Sequence, residues 1–127
     1  MSVRLNHTIV WCRDQQHSAS FLTEILGLAP ATRYGPFLVA TVDNDLSLDY
    51  HESEGTVEPQ HYAFLVGEDD FDAIFGRIQE RDLGYSADPG QNEPNRINRH
   101  DGGRGVYFSD PDGHLLEIIT RPYGGAP

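Results

Sequence analysis

The chain runs through one order of elements twice, and that repetition limits its fold more than any other feature. Residues 5–12 (LNHTIVWC) are β-branched and aromatic and read as a strand. Asp14 is placed to cap a helix whose apolar positions Phe21, Leu22, Ile25 and Leu26 follow helical spacing, and Gly27 stops it. Short strands are expected over 29–34, 36–43 and 46–52. The second round opens with HYAFLV at 61–66, then a helix capped by Asp69 or Asp70. That helix carries Phe71, Ile74, Phe75 and Ile78 on one face and ends by Gly84. A strand near Tyr85 and two more at 105–109 and 114–120 complete it, the last pair joined by the turn DPDG at 110–113. The order is β-α-β-β-β twice, each first strand beginning near a histidine, His7 and His61. Letter-by-letter identity between the halves is weak, so the matching order of elements carries the case for an internal duplication.

One domain covers residues 1–127 in this reading, with module one over about 5–52 and module two over about 58–121. Nine basic against twenty acidic side chains leave a formal charge of −11. Such a surface repels nucleic acid and anionic membranes, so neither is an expected partner. No stretch approaches the ~20 apolar residues of a membrane span, and no basic head with an apolar segment marks a signal peptide, so the expected location is the cytoplasm. The lone cysteine, Cys12, sits in an apolar run and reads as a packed thiol.

Strand parity selects the chemistry-bearing residues. His7 shares a face with Leu5, Ile9 and Trp11; His61 with Ala63 and Leu65; Glu117 with Leu115 and Ile119. A carboxylate flanked by Leu116 and Ile118 needs a partner if it is buried. Two imidazoles and one carboxylate around a divalent cation satisfy all three groups. That is the facial arrangement of non-haem Fe(II) sites, which Mn(II), Zn(II) or Ni(II) can also fill. Each histidine taken singly is better explained by a hydrogen bond; at matching points of a duplication, the two together are a signal. Neither H-E-x-x-H nor a paired C-x-x-C occurs, which excludes the common metalloprotease and structural-zinc patterns. On the strand ending the first round, Asp49 and His51 share one face and Tyr50 takes the other. Asp49 reads as a neighbour of the site or as edge decoration rather than a ligand. The aromatic residues Trp11, Phe37, Phe64 and Phe108 read as core before cavity wall.

Residues 88–104 (DPGQNEPNRINRHDGGR) exceed an ordinary connection, and loops of that length are usually functional or disordered. Arg96, Arg99, His100 and Arg104 make it a local basic island in an acidic chain.

With those residues in view, the chain resembles the glyoxalase, bleomycin-resistance and extradiol-dioxygenase superfamily over roughly residues 5–121. NHTIVWCRD with SFLTEILGL is similar to the family's opening, EPQHYAFLV to the start of its second module, and VYFSDPDGHLLEII to its ending. The resemblance implies an α+β fold in which two βαβββ modules form a curled mixed β-sheet around a metal-binding cavity. It places His7, His61 and Glu117 where the family's metal ligands lie. The run from Asn98-Arg99-His100 through Tyr107 to Glu117 resembles extradiol ring-cleaving dioxygenases. That implies Fe(II), a catechol-like small-molecule substrate, His100 as acid/base and Tyr107 as an orienting hydroxyl. A homodimer is implied by the family alone. The alternative is a metal-dependent isomerase, lyase or thiol transferase of glyoxalase or fosfomycin-resistance type. Against it, position 9 is Ile9 rather than threonine, and the chain has no lysine. A metal-free drug-binding resistance protein is the third expectation, separated from the enzymes by metal content.

Overall fold

The computed structural model describes residues 2–125 and divides into two compact units, Met1–Glu58 and Pro59–Pro127. Each holds a four-stranded mixed sheet with one α-helix, so the fold is α+β and the βαβββ order recurs. No helix among the described residues is long and apolar enough to cross a membrane.

In the first unit β1 (His7–Cys12) is followed by α1 (Gln15–Leu26), β2 (Thr32–Tyr34), β3 (Phe37–Thr41) and β4 (Ser47–Glu52). The sheet order is β1-β4-β3-β2, with β1 parallel to β4 and the other pairs antiparallel. A parallel pair needs a crossover, and the helix with the two middle strands supplies it. Asp14 caps α1 by accepting the His17 N–H at 3.1 Å, and Gly27 closes it in the left-handed region at φ 73°. The buried stripe of α1 differs from the expected Phe21–Leu26 face. Ser18, Ala19, Leu22, Thr23 and Ile25 are the buried positions, while Phe21 and Leu26 are half-buried beside them. Val10, Cys12, Leu38, Ala40, Leu48 and Tyr50 fill the core side of this sheet. Cys12 is wholly buried, as its apolar surroundings imply.

The second unit repeats the scheme with β5 (His61–Leu65), α2 (Glu68–Glu80), β6 (Tyr85–Ser86), β7 (Gly105–Ser109) and β8 (Leu115–Ile119). Its order is β5-β8-β7-β6, again with one parallel pair, β5 and β8. α2 is capped two or three residues before the expected Asp69 or Asp70. Its N-cap is Gly67, which has no side chain to offer, and Glu68, Asp69 and Asp70 lie inside the first turn. There they complement the helix dipole rather than cap it. Phe71, Ile74 and Ile78 join Val106, Phe108, Leu116 and Ile118 in the core of this unit.

The expected hairpin at 110–113 has a specific construction. Asp110 N–H donates to the His114 carbonyl at 2.9 Å, and Gly113 at φ 88° closes a three-residue loop. The Asp110 carboxylate accepts the N–H groups of Asp112 and His114 at 2.9 and 2.8 Å. His114 is fully buried and its Nδ1 accepts the Gln60 N–H at 2.9 Å, which ties the start of β5 to that of β8. Burial raises the Asp110 carboxyl above the ordinary aspartate range.

Residues 88–104 are stitched down. Asp88 accepts the N–H groups of Asn92 and Glu93 at 3.0 and 2.7 Å. Asn98 and Gly105 exchange backbone bonds of 2.8 and 3.0 Å, and the Asn98 amide donates to the Ala87 carbonyl. Arg104, one of the cations of that basic stretch, is engaged by acidic side chains. Its guanidinium bonds Glu68 and Asp72 at the start of α2 and lies 4.4 Å from the Phe71 ring centroid.

Candidate functional site

Parity puts His61 and Glu117 on one face of the second sheet, and the parallel register sets them two residues apart: His61 pairs Leu115, and Glu117 pairs Ala63. Tyr107 stands directly across from Glu117 on the antiparallel side. Neighbouring positions on one sheet face therefore bring an imidazole, a carboxylate and a phenol together.

Glu117 is 1% exposed. An ionised carboxylate that is so buried requires partners, and three side chains surround it. The Tyr123 hydroxyl lies 2.8 Å from both of its oxygens, His61 Nε2 lies 3.0 Å from Oε1, and the Tyr107 hydroxyl meets that of Tyr123 at 3.3 Å. His61 also stacks on Tyr107, with ring centroids 5.9 Å apart. Burial first, then the bonds to Tyr123 and Glu117, push the Tyr107 hydroxyl far above the ordinary phenol range, so it stays a proton donor at neutral pH.

The other imidazole nitrogen sets the tautomer. His61 Nδ1 lies 3.1 Å from the Leu115 carbonyl, which can only accept, so Nδ1 carries the hydrogen. A neutral ring then turns the bare lone pair of Nε2 toward the carboxylate at 3.0 Å. That juxtaposition is satisfied by a second ring proton or by a cation between the two. A metal-binding histidine characteristically donates its other N–H to a backbone carbonyl, so the donor set fits a divalent cation.

His7 opens β1 in the other unit, exposed, with Nδ1 2.8 Å from the Asn6 side-chain oxygen. Among the described residues no group of three or more His, Cys, Asp or Glu side chains gathers as a metal cluster. His100 begins a short 3-10 turn, His100–Gly102, which packs against a second such turn, Tyr123–Gly125. Its ring is exposed and takes no part in the hydrogen bonds around Glu117. Asp49 accepts from Ser47 Oγ at 2.9 Å, and His51 stacks on Trp11 and meets the Phe37 ring edge-on. Trp11 is 44% exposed rather than core, because it shares the open face of β1 with His7. Phe108 is core, as expected.

Tyr123 is the residue that the sequence analysis missed. It follows β8 in the non-periodic segment RPYGG, and only the fold shows that this tail turns back onto Glu117. A pattern argument has no purchase there.

Comparison with known proteins agrees with this architecture. The solved structure of the oxidase ChaP-H1 is 63% identical, covers 98% of this chain and 100% of its own, and superposes with a TM-score of 0.96. Glutathione transferase FosA of Serratia marcescens is 35% identical over 90% of this chain and 78% of its own length. Metallothiol transferase FosB of Shouchella clausii is 28% identical over 91% of this chain and 79% of its own. The family model for the Glyoxalase/Bleomycin resistance protein/Dioxygenase superfamily matches residues 4–118, and the chain belongs to that superfamily.

Proposed function

We propose that this chain is a metal-dependent enzyme oxidising a small molecule, with extradiol-type cleavage of a catechol-like substrate as the reaction. The observation that carries the reading is the His61–Glu117 pair, in which an imidazole with a committed Nδ1–H faces a buried carboxylate at 3.0 Å. His61 and Glu117 would hold the metal with His7, which occupies in β1 the place that His61 occupies in β5. Fe(II) is the favoured ion, ahead of Mn(II), Zn(II) and Ni(II). Bound there, it would supply the redox and Lewis-acid chemistry that joins dioxygen to an electron-rich ring.

The chain's own groups have separate tasks. Tyr107, held protonated, donates a hydrogen bond to oxygen that gains negative charge. His100 moves a proton, which imidazole does well near neutral pH. The oxidative reading draws support from the oxidase relative at 63% identity. Homodimerisation is part of the proposal on the family resemblance; light scattering checks it.

The FosA relative favours a second reading, metal-dependent thiol transfer. Against it stand Ile9 and the missing lysine that the fosfomycin-resistance pattern places before the tyrosine matching Tyr107, since the chain has no lysine. One experiment separates the two. Protein purified anaerobically without a His tag is analysed for metals, then given catechol and air, or glutathione and fosfomycin. About one iron per chain with oxygen uptake and yellow ring-cleavage product is expected; glutathione conjugation without oxygen uptake overturns the dioxygenase reading. His61→Ala should lose the metal, whereas His100→Ala should keep it and lose turnover. Stoichiometric metal in the first variant, or parent turnover in the second, removes the corresponding role.

A further inference from the structure

Beside Tyr107, on the edge of the second sheet, lies a cavity of about 290 Å³ between β6, β7 and the segment 91–95. Tyr85, Gln91, Pro94, Asn95, Tyr107 and Ser109 are among its walls, and none of its ten lining residues is charged. In a chain with 23% charged residues that is a selection, and it excludes no hydrogen bonding, since serine, asparagine and glutamine side chains are present. Tyr107 belongs both to this wall and to the hydroxyl network of Glu117, so the cavity adjoins the reacting end of the site.

The outer wall is held in place. Asn95 N–H donates to the Tyr85 carbonyl at 3.0 Å, Ala87 N–H to the Glu93 carbonyl at 3.1 Å, and Gln91 N–H to the Asp88 carbonyl at 3.2 Å. Gln91 and Asn95 both adopt left-handed backbone, at φ 59° and 63°. That conformation is uncommon for side-chain-bearing residues, glutamine especially, and persists only where the surroundings enforce it. The cavity is thus largely preformed, at the lower end of the size range of ligand pockets.

We propose that this cavity is a subsite for a flat, uncharged part of the substrate, of the size of a second ring, lying next to the oxidised one. The proposal rests on the catechol reading above and gives the long loop 88–104 a purpose: part of it walls the subsite. An anionic extension, such as a phosphonate or a carboxylate, would find no cation in that lining.

The test compares affinities of the iron-loaded protein, kept anaerobic, for catechol and for 2,3-dihydroxynaphthalene. Burying the second ring should make the two-ring diol bind at least about ten-fold tighter. Ser109→Phe fills the cavity from an exposed strand end and should abolish that preference while leaving catechol affinity unchanged; Ser109→Ala should keep it. Equal binding of the two diols by the parent protein overturns the subsite alone. Retention of the preference in a folded Ser109→Phe variant does the same. Binding of neither diol overturns the catechol reading and the subsite together.

Discussion

Tyr123 shows how one hydroxyl can stabilise a buried charge. Its OH meets both Glu117 oxygens at 2.8 Å, although 61% of the residue is exposed. Hydrogen bonds to a charged group are worth about 1.5–3 kcal/mol, and leaving such a group short of partners costs the full desolvation. Tyr123→Phe should therefore destabilise the metal-free protein by about 1–3 kcal/mol and change little else, because the ring sits at the surface. A divalent cation on Glu117 would compensate for the lost donor, so the stabilisation by added metal should be larger in the variant than in the parent. Denaturant melts with and without metal measure both quantities. Equal metal-free stability of variant and parent would show that the Tyr123 hydroxyl does not support the carboxylate.

Among the elements, the stitched segment 88–104 makes a claim about acid. The Asp88 carboxyl lies below the ordinary 3.8, first because the Ser86 hydroxyl bonds it and then because the Asn92 N–H does. A lowered carboxyl contributes stability that is present above its unfolded value and disappears as pH falls through its folded one. The protection of the Asn92 and Glu93 amides, taken relative to the intrinsic exchange rate at each pH, should accordingly fall below about pH 4, and Asp88→Ala should show the low protection already at neutral pH. Unchanged protection in that variant would mean that other bonds hold the turn. This is also the scale at which sequence reading stops. Strands β7 and β8 and the Asp14 cap of α1 follow from alternation and capping chemistry, both local. The burial of Glu117 was legible as a carboxylate among Leu116 and Ile118. The seating of Arg104 on Glu68, Asp72 and Phe71 was not, because it joins residues more than thirty positions apart with no period to announce them. Tyr123 was hidden because it lies only six positions from Glu117 but in the aperiodic tail RPYGG, and Trp11 was misjudged because an apolar residue on the correct parity need not face a core.

For the molecule as a whole, the duplication reaches down to register. His7 lies opposite Ser47 with Asp49 two residues on, and His61 lies opposite Leu115 with Glu117 two residues on. Asp49 is therefore the counterpart of Glu117, yet the two carboxylates have different surroundings. Glu117 is buried and depends on its partners, while Asp49 is only half-buried and bonded to Ser47 Oγ, its charge still within reach of water. The cost of an unpaired charge rises with burial, so a cation would offset more at Glu117 than at Asp49. Each chain should accordingly bind one metal rather than two. Asp49→Asn should keep that stoichiometry, with an affinity change smaller than the roughly 10–100-fold loss typical of groups supporting a ligand. Glu117→Gln should lose more than that range. Calorimetric titration of both variants with the same ion makes the comparison directly. Release of the metal by Asp49→Asn to the same degree as by Glu117→Gln would mean that the two halves share the ligand role, and that burial does not decide which carboxylate binds.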